Sequence, residues 1–211
     1  MTTPEHAMLM VNAVLATGLT RRHGWQIAAI AGIAAILPDW DGLTLLWSAA
    51  LFDTAHRCWG HGLFSCVLLA AIVTWFDARH DLTTRLARGF LRLTRITLPN
   101  ADTLLRPHPA QNRAEWGVRA GVILAATLSH PLTDLLVSGA DGLNDWKIDL
   151  FWPFSHEGFV FPLLRWGDIG VTLIFTVGAA TMLCRKRQIR TIAAITLATS
   201  AGYAILRAVL R

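Results

Sequence analysis

Six apolar stretches dominate the chain, at about 6–19, 25–37, 60–76, 118–138, 168–184 and 190–209. A helix that crosses a bilayer needs about 20 apolar residues, and in hydrocarbon only helices or closed barrels satisfy the backbone polar groups. The last four stretches approach that length, whereas the first two fall short. The predicted fold is therefore all-α: a polytopic membrane helix bundle of about four full spans plus two shorter N-terminal helices. Composition agrees, with 54% hydrophobic and 16% charged residues in a chain of 211, against roughly 25% charged in an average soluble domain. That balance excludes a water-soluble enzyme core, and the ample apolar surface excludes intrinsic disorder. Cys58, Cys66 and Cys184 form no CxxC pair and no disulfide framework. No signal peptide is expected, because Arg21 and Arg22 follow the first apolar run rather than precede it.

The net charge of +5 is carried almost entirely by arginine, with Lys147 and Lys186 the only lysines. Arg21 and Arg22 form one cluster. Eight arginines, from Arg79 to Arg119, surround the central segment, and Arg185, Lys186, Arg187 and Arg190 close the last turn. A bundle that alternates direction puts all of these on one side, which the positive-inside bias makes the cytoplasm. The N-terminus, segment 38–59, loop 139–167 and the C-terminus then share the other side. The chain reads as a single membrane-embedded domain, 1–211, with an Arg-rich cytoplasmic loop at 77–116 and a non-cytoplasmic loop at 139–167. Trp25, Trp75 and Trp116 fall at one interface, and Trp47, Trp59, Trp146, Trp152 and Trp166 at the other, as interfacial tryptophans should.

Within the loop, Arg85, Arg88, Arg92 and Arg95 recur at helical spacing, with Leu82, Leu86, Phe90 and Leu93 on another face. This predicts a cytoplasmic amphipathic helix over 81–98 lying on anionic lipid, so membrane lipids are the expected partners. No groove-reading fold accompanies it, and no nucleic acid partner is expected. Pro99, Pro107 and Pro109 mark the following stretch, to about residue 112, as irregular linker.

Ionisable groups inside apolar segments are costly and point to function. They occur at His6, at Leu37-Pro38-Asp39-Trp40-Asp41, at His56-Arg57-Cys58-Trp59-Gly60-His61, and at Ser129-His130-Pro131-Leu132-Thr133-Asp134. Imidazoles and carboxylates are the ligand set of zinc, manganese or iron. His130 and Asp134, four apart, share one helical face. His56 and His61, five apart, converge only if His56 lies on a loop entering the helix that carries His61. On the arginine-derived orientation, His6, Asp39, Asp41, His56, His61, His130 and Asp134 all fall towards the non-cytoplasmic end. The predicted metal ligands are His6, Asp39, His56, His61, His130 and Asp134, with Asp41 as general base or bridging ligand and Arg57 as a phosphate-binding group. His156 and Glu157 lie on the same side and could join them. The plainer readings are a solvated turn capped by Asp39 or Asp41, His56 and Arg57 paired with lipid phosphates, and a metal-free hydrogen bond between His130 and Asp134.

At these motifs, spread over roughly residues 6–155, the chain resembles the YdjM-like family of bacterial inner-membrane, metal-dependent hydrolases. The matching positions are His6, Leu37 to Asp41, His56 to Gly62, Ser129 to Asp134, and Trp152-Pro153-Phe154. Cys58, Gly60 and Gly62 depart from the family's Gly, Thr and Ser. The resemblance implies metal and hydrolysis. The expected function is a membrane-embedded metal-dependent hydrolase with one or two divalent ions, zinc ahead of manganese or iron. It would act on an ester or phosphoester of a lipid-type substrate at the non-cytoplasmic face. The alternatives are a non-enzymatic metal-binding membrane protein and a regulatory scaffold with a structural metal. Haem is disfavoured by the acids beside the histidines, and a transporter by polar residues that stop at mid-span and by the lack of internal repeats.

Overall fold

A computed structural model describes residues 1–138, 146–161 and 163–210. Its helices are α1 (Thr3–Thr17), α2 (Leu19–His23), α3 (Gln26–Ile36), α4 (Ala49–Ala55), α5 (Leu63–His80), α6 (Leu82–Thr94), α7 (Ala101–Leu104), α8 (Arg113–Leu136), α9 (Ile169–Cys184) and α10 (Ile189–Val209). Among the described residues there is no β-strand, only two isolated bridges, Val137 with Leu164 and Ile148 with Phe159.

Local chemistry sets the boundaries that matter for the site. Glu5 at the start of α1 accepts a hydrogen bond from the Thr2 backbone N–H at 2.8 Å, satisfying a donor the helix cannot. At the far end Gly18, at φ 76°, ends α1 in the left-handed conformation that costs glycine little. Pro38 halts the α-helical ladder of α3, and the chain continues as a 3-10 helix, Leu37–Leu46. Such helices seldom exceed four residues, and this one carries Asp39 and Asp41. α8 starts on Asn112, whose side chain accepts from the Glu115 N–H at 3.0 Å. It holds Pro131 in its interior.

α8 lies between α3 and α5, while α1 packs on α3 and α10, and α10 on α9. Small residues bring α1 and α3 together. A Cβ on Gly32 would stand 3.0 Å from Val11, and Ala28, Ala31, Ala34 and Ala35 are buried beside Ile27, Ile30, Ile123 and Ala126. Without a hydrophobic drive between helices in lipid, close backbone packing of this kind supplies the attraction. The outward faces stay apolar, with Leu68, Ile72, Leu173, Val177, Ile195 and Ile205 all exposed.

Among the described residues, three helical stretches are long and apolar enough to cross a membrane: Gln26–Leu46, Leu63–His80 and Lys186–Val209. The stretch at 25–37, expected to be short, reaches full length because the 3-10 segment prolongs it. Ile169–Cys184 is shorter than a full span. α8 has 24 residues but includes Arg113, Glu115, Arg119 and Asp134. The amphipathic helix expected at 81–98 is α6, and the linker after it contains one short helix, α7. Residues 139–145 of the loop expected at 139–167 lie outside the described residues.

At the arginine-rich end, Arg119 is buried rather than solvated. It binds Asp77 at 2.6 Å and also donates to the His108 carbonyl. Asp77 further accepts from the Thr83 N–H at 3.0 Å and the Thr83 hydroxyl at 2.8 Å, and Asp81 accepts from the His108 N–H at 2.5 Å. This network ties the loop after α6 to α5 and α8.

Candidate metal centre

Four segments deliver the ionisable residues to one place. His6 comes from the first turns of α1 and Asp39 from the 3-10 helix. His56 and His61 flank the turn into α5, and His130 and Asp134 lie one turn apart on α8. His6, His61 and His130 are fully buried.

The ring nitrogens are assigned by their partners. His130 Nδ1 lies 2.6 Å from the Ala35 carbonyl oxygen, which can only accept, so Nδ1 carries the hydrogen and Nε2 is a bare lone pair. His61 Nδ1 lies 2.9 Å from Asp41 Oδ2, again an acceptor. The two Nε2 atoms then face each other at 3.2 Å. Asp39 Oδ1 stands 3.2 Å from His130 Nε2 and 3.7 Å from His61 Nε2. Asp134 Oδ2 stands 3.6 Å from His61 Nε2 and 3.8 Å from His130 Nε2. Ligands held ~2.0–2.2 Å from a tetrahedral cation are themselves ~3.3–3.6 Å apart. His61 Nε2, His130 Nε2 and Asp39 Oδ1 are thus spaced as three corners of a coordination shell, and Asp134 Oδ2 lies at a similar distance from the two imidazoles.

His6 extends the cluster. Its Nδ1 lies 3.1 Å from the Thr133 hydroxyl, and its ring stacks on His130 with centroids 3.7 Å apart. Its Nε2 is buried without a hydrogen-bond partner, although Asp134 Oδ1 is 3.0 Å away. The angle is wrong for a hydrogen bond, yet the pair is placed for sharing a cation. Asp134 therefore turns one oxygen to His6 and the other to the His61–His130 pair. The Met1 amino group also touches Asp134 Oδ1.

Asp41 sits behind this ring. It is fully buried and binds His61 Nδ1, His56 Nδ1 at 2.9 Å and the Gly60 N–H at 2.9 Å. A carboxylate behind a ligating imidazole fixes its tautomer and orientation, a recurrent arrangement in metal sites. Gly60 is required here, since a Cβ would lie 1.9 Å from the Pro38 carbonyl oxygen. His56 is half-buried; it shares Asp41 with His61, its ring meets that of His61 edge-on with centroids 5.3 Å apart, and Asp41, His56 and His61 form a further grouping that could hold an ion. Arg57, at φ 65°, directs its guanidinium to the Ser138 hydroxyl at 2.5 Å and the Trp146 carbonyl at 2.9 Å. It also lies 3.6 Å from Asp134 Oδ2 and stacks over the Trp146 ring.

His61 lies outside the membrane-spanning helices. Burial pulls its pKa down, but the neighbouring carboxylates of Asp134 and Asp41 outweigh it and raise the pKa to about 9. A proton on Nε2 is the alternative to a cation between the two imidazoles.

The structure brings His6, Asp39, His61, His130 and Asp134 into one cluster, with Asp41 and His56 in the layer behind. His156 does not join it; it lies beside Asp149 at 3.3 Å. Glu157 is exposed, and its N–H bonds the Ser155 hydroxyl. Sequence reasoning missed Thr133, Gly60 and the Ala35 carbonyl. Thr133 is recognisable by its place three residues after His130, but a carbonyl leaves no trace in the sequence.

Fold and site together define a polytopic helical membrane protein with a buried histidine–carboxylate cluster. The family model for the YdjM inner membrane protein matches residues 1–211, so the chain belongs to that family of inner membrane proteins. No curated protein and no solved structure matches it.

Proposed function

We propose that this protein is a membrane-embedded metal-dependent hydrolase acting on an ester or phosphoester of a lipid-type substrate at the non-cytoplasmic face. The observation that carries the reading is the pair of bare Nε2 atoms of His61 and His130, set with one oxygen each of Asp39 and Asp134. Two buried lone pairs at that distance repel unless a cation or a proton lies between them. Mixed nitrogen and oxygen donors favour zinc, with manganese or iron next. His6 and the second oxygen of Asp134 offer part of an adjacent position, so one or two ions fit.

A divalent metal held there would lower the pKa of a bound water and polarise the scissile bond. Within the protein, Asp41 orients His61 and His56, and Arg57 holds Asp134 and adds positive charge beside the ring. Asp39 is the partly open ligand and is steadied by the Thr3 hydroxyl at 2.6 Å, so substrate would approach on its side. We further infer that α8 is a crossing helix, since 24 residues span ~36 Å and its charged side chains Arg119 and Asp134 are buried by partners.

A second reading has its own support. The three fully buried histidines resemble a closed structural site more than an open catalytic one. One experiment separates the two: measure metal in detergent-purified protein and in His130→Ala, then screen both against lipid phosphoesters. Loss of metal and of hydrolysis in the variant supports the hydrolase. Metal that is lost without any hydrolysis by the parent supports the structural reading. Unchanged stoichiometry in His130→Ala removes both.

A further inference from the structure

We propose that Cys58, Asp149 and His156 form a second cation site, distinct from the His/Asp ring and selective for a thiophilic ion such as zinc. The Cys58 sulfur, a carboxylate oxygen of Asp149 and a ring nitrogen of His156 all lie within 4.8 Å of one another. His156 Nδ1 is 3.3 Å from Asp149 Oδ2, already the ~3.3 Å edge of a tetrahedral shell.

The scaffold holds these groups without help from the ring. The Asp149 N–H donates to the Arg57 carbonyl at 3.1 Å, fastening the acid beside Cys58. Ile148 and Phe159 pair in both directions, at 2.8 and 2.9 Å, closing the loop that carries Asp149 and His156. The Leu63 N–H bonds the Leu150 carbonyl at 2.8 Å, tying that loop to the start of α5.

The donor set differs in kind from the ring, which offers only nitrogen and oxygen. A thiolate selects softer ions. Binding would expel the Cys58 thiol proton to solvent, as coordinated thiols deprotonate. Cys58 is buried while the His156 side chain is 76% exposed, so an ion can enter past the imidazole, and three protein ligands leave a fourth position for water. The other two cysteines lack such company. Cys66 rests on the Gly60 carbonyl at 3.6 Å, and Cys184 is exposed.

Cobalt(II) titration of the detergent-purified full chain tests the proposal, because only thiolate ligation gives a sulfur-to-cobalt charge-transfer band in the near ultraviolet. The band is expected in the parent and in His130→Ala, and absent in Cys58→Ser, which should also bind about one equivalent less zinc. His156→Ala, at an exposed position that the fold does not need, should weaken cobalt binding at this band at least tenfold. A parent without the band, a band that survives Cys58→Ser, or unchanged affinity in His156→Ala would overturn the site. Because His130→Ala spares this band, its loss and the loss of the ring metal are read separately.

Discussion

His61 and His130, 69 residues apart in sequence, meet Nε2 to Nε2 at 3.2 Å with both Nδ1 atoms committed elsewhere. Neither imidazole can relieve the other by changing tautomer, because the Ala35 carbonyl and the Asp41 carboxylate both demand a hydrogen. The proton or cation between them is therefore the variable that the following experiments address.

Asp41→Asn should leave the ring ligands in place but lose the charge that orients His61 and His56. Outer carboxylates of this kind contribute about 10–100-fold in metal affinity. Competition with a chelating dye should show a loss in that range, with full occupancy still reached at high metal concentration.

The raised pKa of His61, about 9 against an ordinary 6.5, gives metal binding a direction with pH. At neutral pH the metal-free protein holds this proton, and a cation must displace it. Apparent affinity should rise as pH increases to about 9, with proton release detectable in weakly buffered solution. The stability of the metal-free protein runs the other way: the folded state holds the proton more tightly than the unfolded chain does. That contribution is complete below 6.5 and is lost as pH climbs through about 9. A melting temperature of metal-free protein that rises over this interval would contradict the assignment.

Gly60→Ala places a methyl group 1.9 Å from the Pro38 carbonyl oxygen, and the backbone on one side must yield. Overpacking of this sort costs about 1–3 kcal/mol. Since Pro38 immediately precedes Asp39, thermal unfolding in detergent should show a lower midpoint and the chelator assay a weaker metal site.

Arg119→Ala strands Asp77 in the buried network at the opposite end, and breaking a buried pair costs about 3–5 kcal/mol. Unfolding temperature should fall markedly while the metal stoichiometry of the surviving folded protein stays the same, because the network and the ring lie at opposite ends of α8. Arg88→Glu with Arg92→Glu, both on α6, should likewise spare metal content. Loss of metal there would favour the scaffold reading of the arginine-rich segment.

Much of the cluster was legible because His6, Asp39, His61, His130 and Asp134 stand out against apolar surroundings, where each is costly unless partnered. The division of labour between Asp39 and Asp41 was not, since two carboxylates two residues apart differ only by where a 3-10 path points them. The same path hid the full length of the second apolar stretch: Pro38 reads as an end, and nothing in Leu37–Leu46 marks a continuation. In the sequence Arg119 reads with the loop arginines as a topological signal, because its partner Asp77 lies 42 positions earlier in the chain. The proximity of Cys58 to Asp149 is equally silent, being made by backbone hydrogen bonds of a loop far along the chain.

The four-segment origin of the ring sets an order of events during biogenesis. Hydrophobic segments leave the insertion machinery one after another, and Asp134 follows His6 by more than a hundred residues. Until α8 has docked between α3 and α5, the earlier donors face lipid or water without their partners. Ion capture must then come late, after most of the bundle is in the membrane, and a trapped cation would act as a latch on an assembly already built.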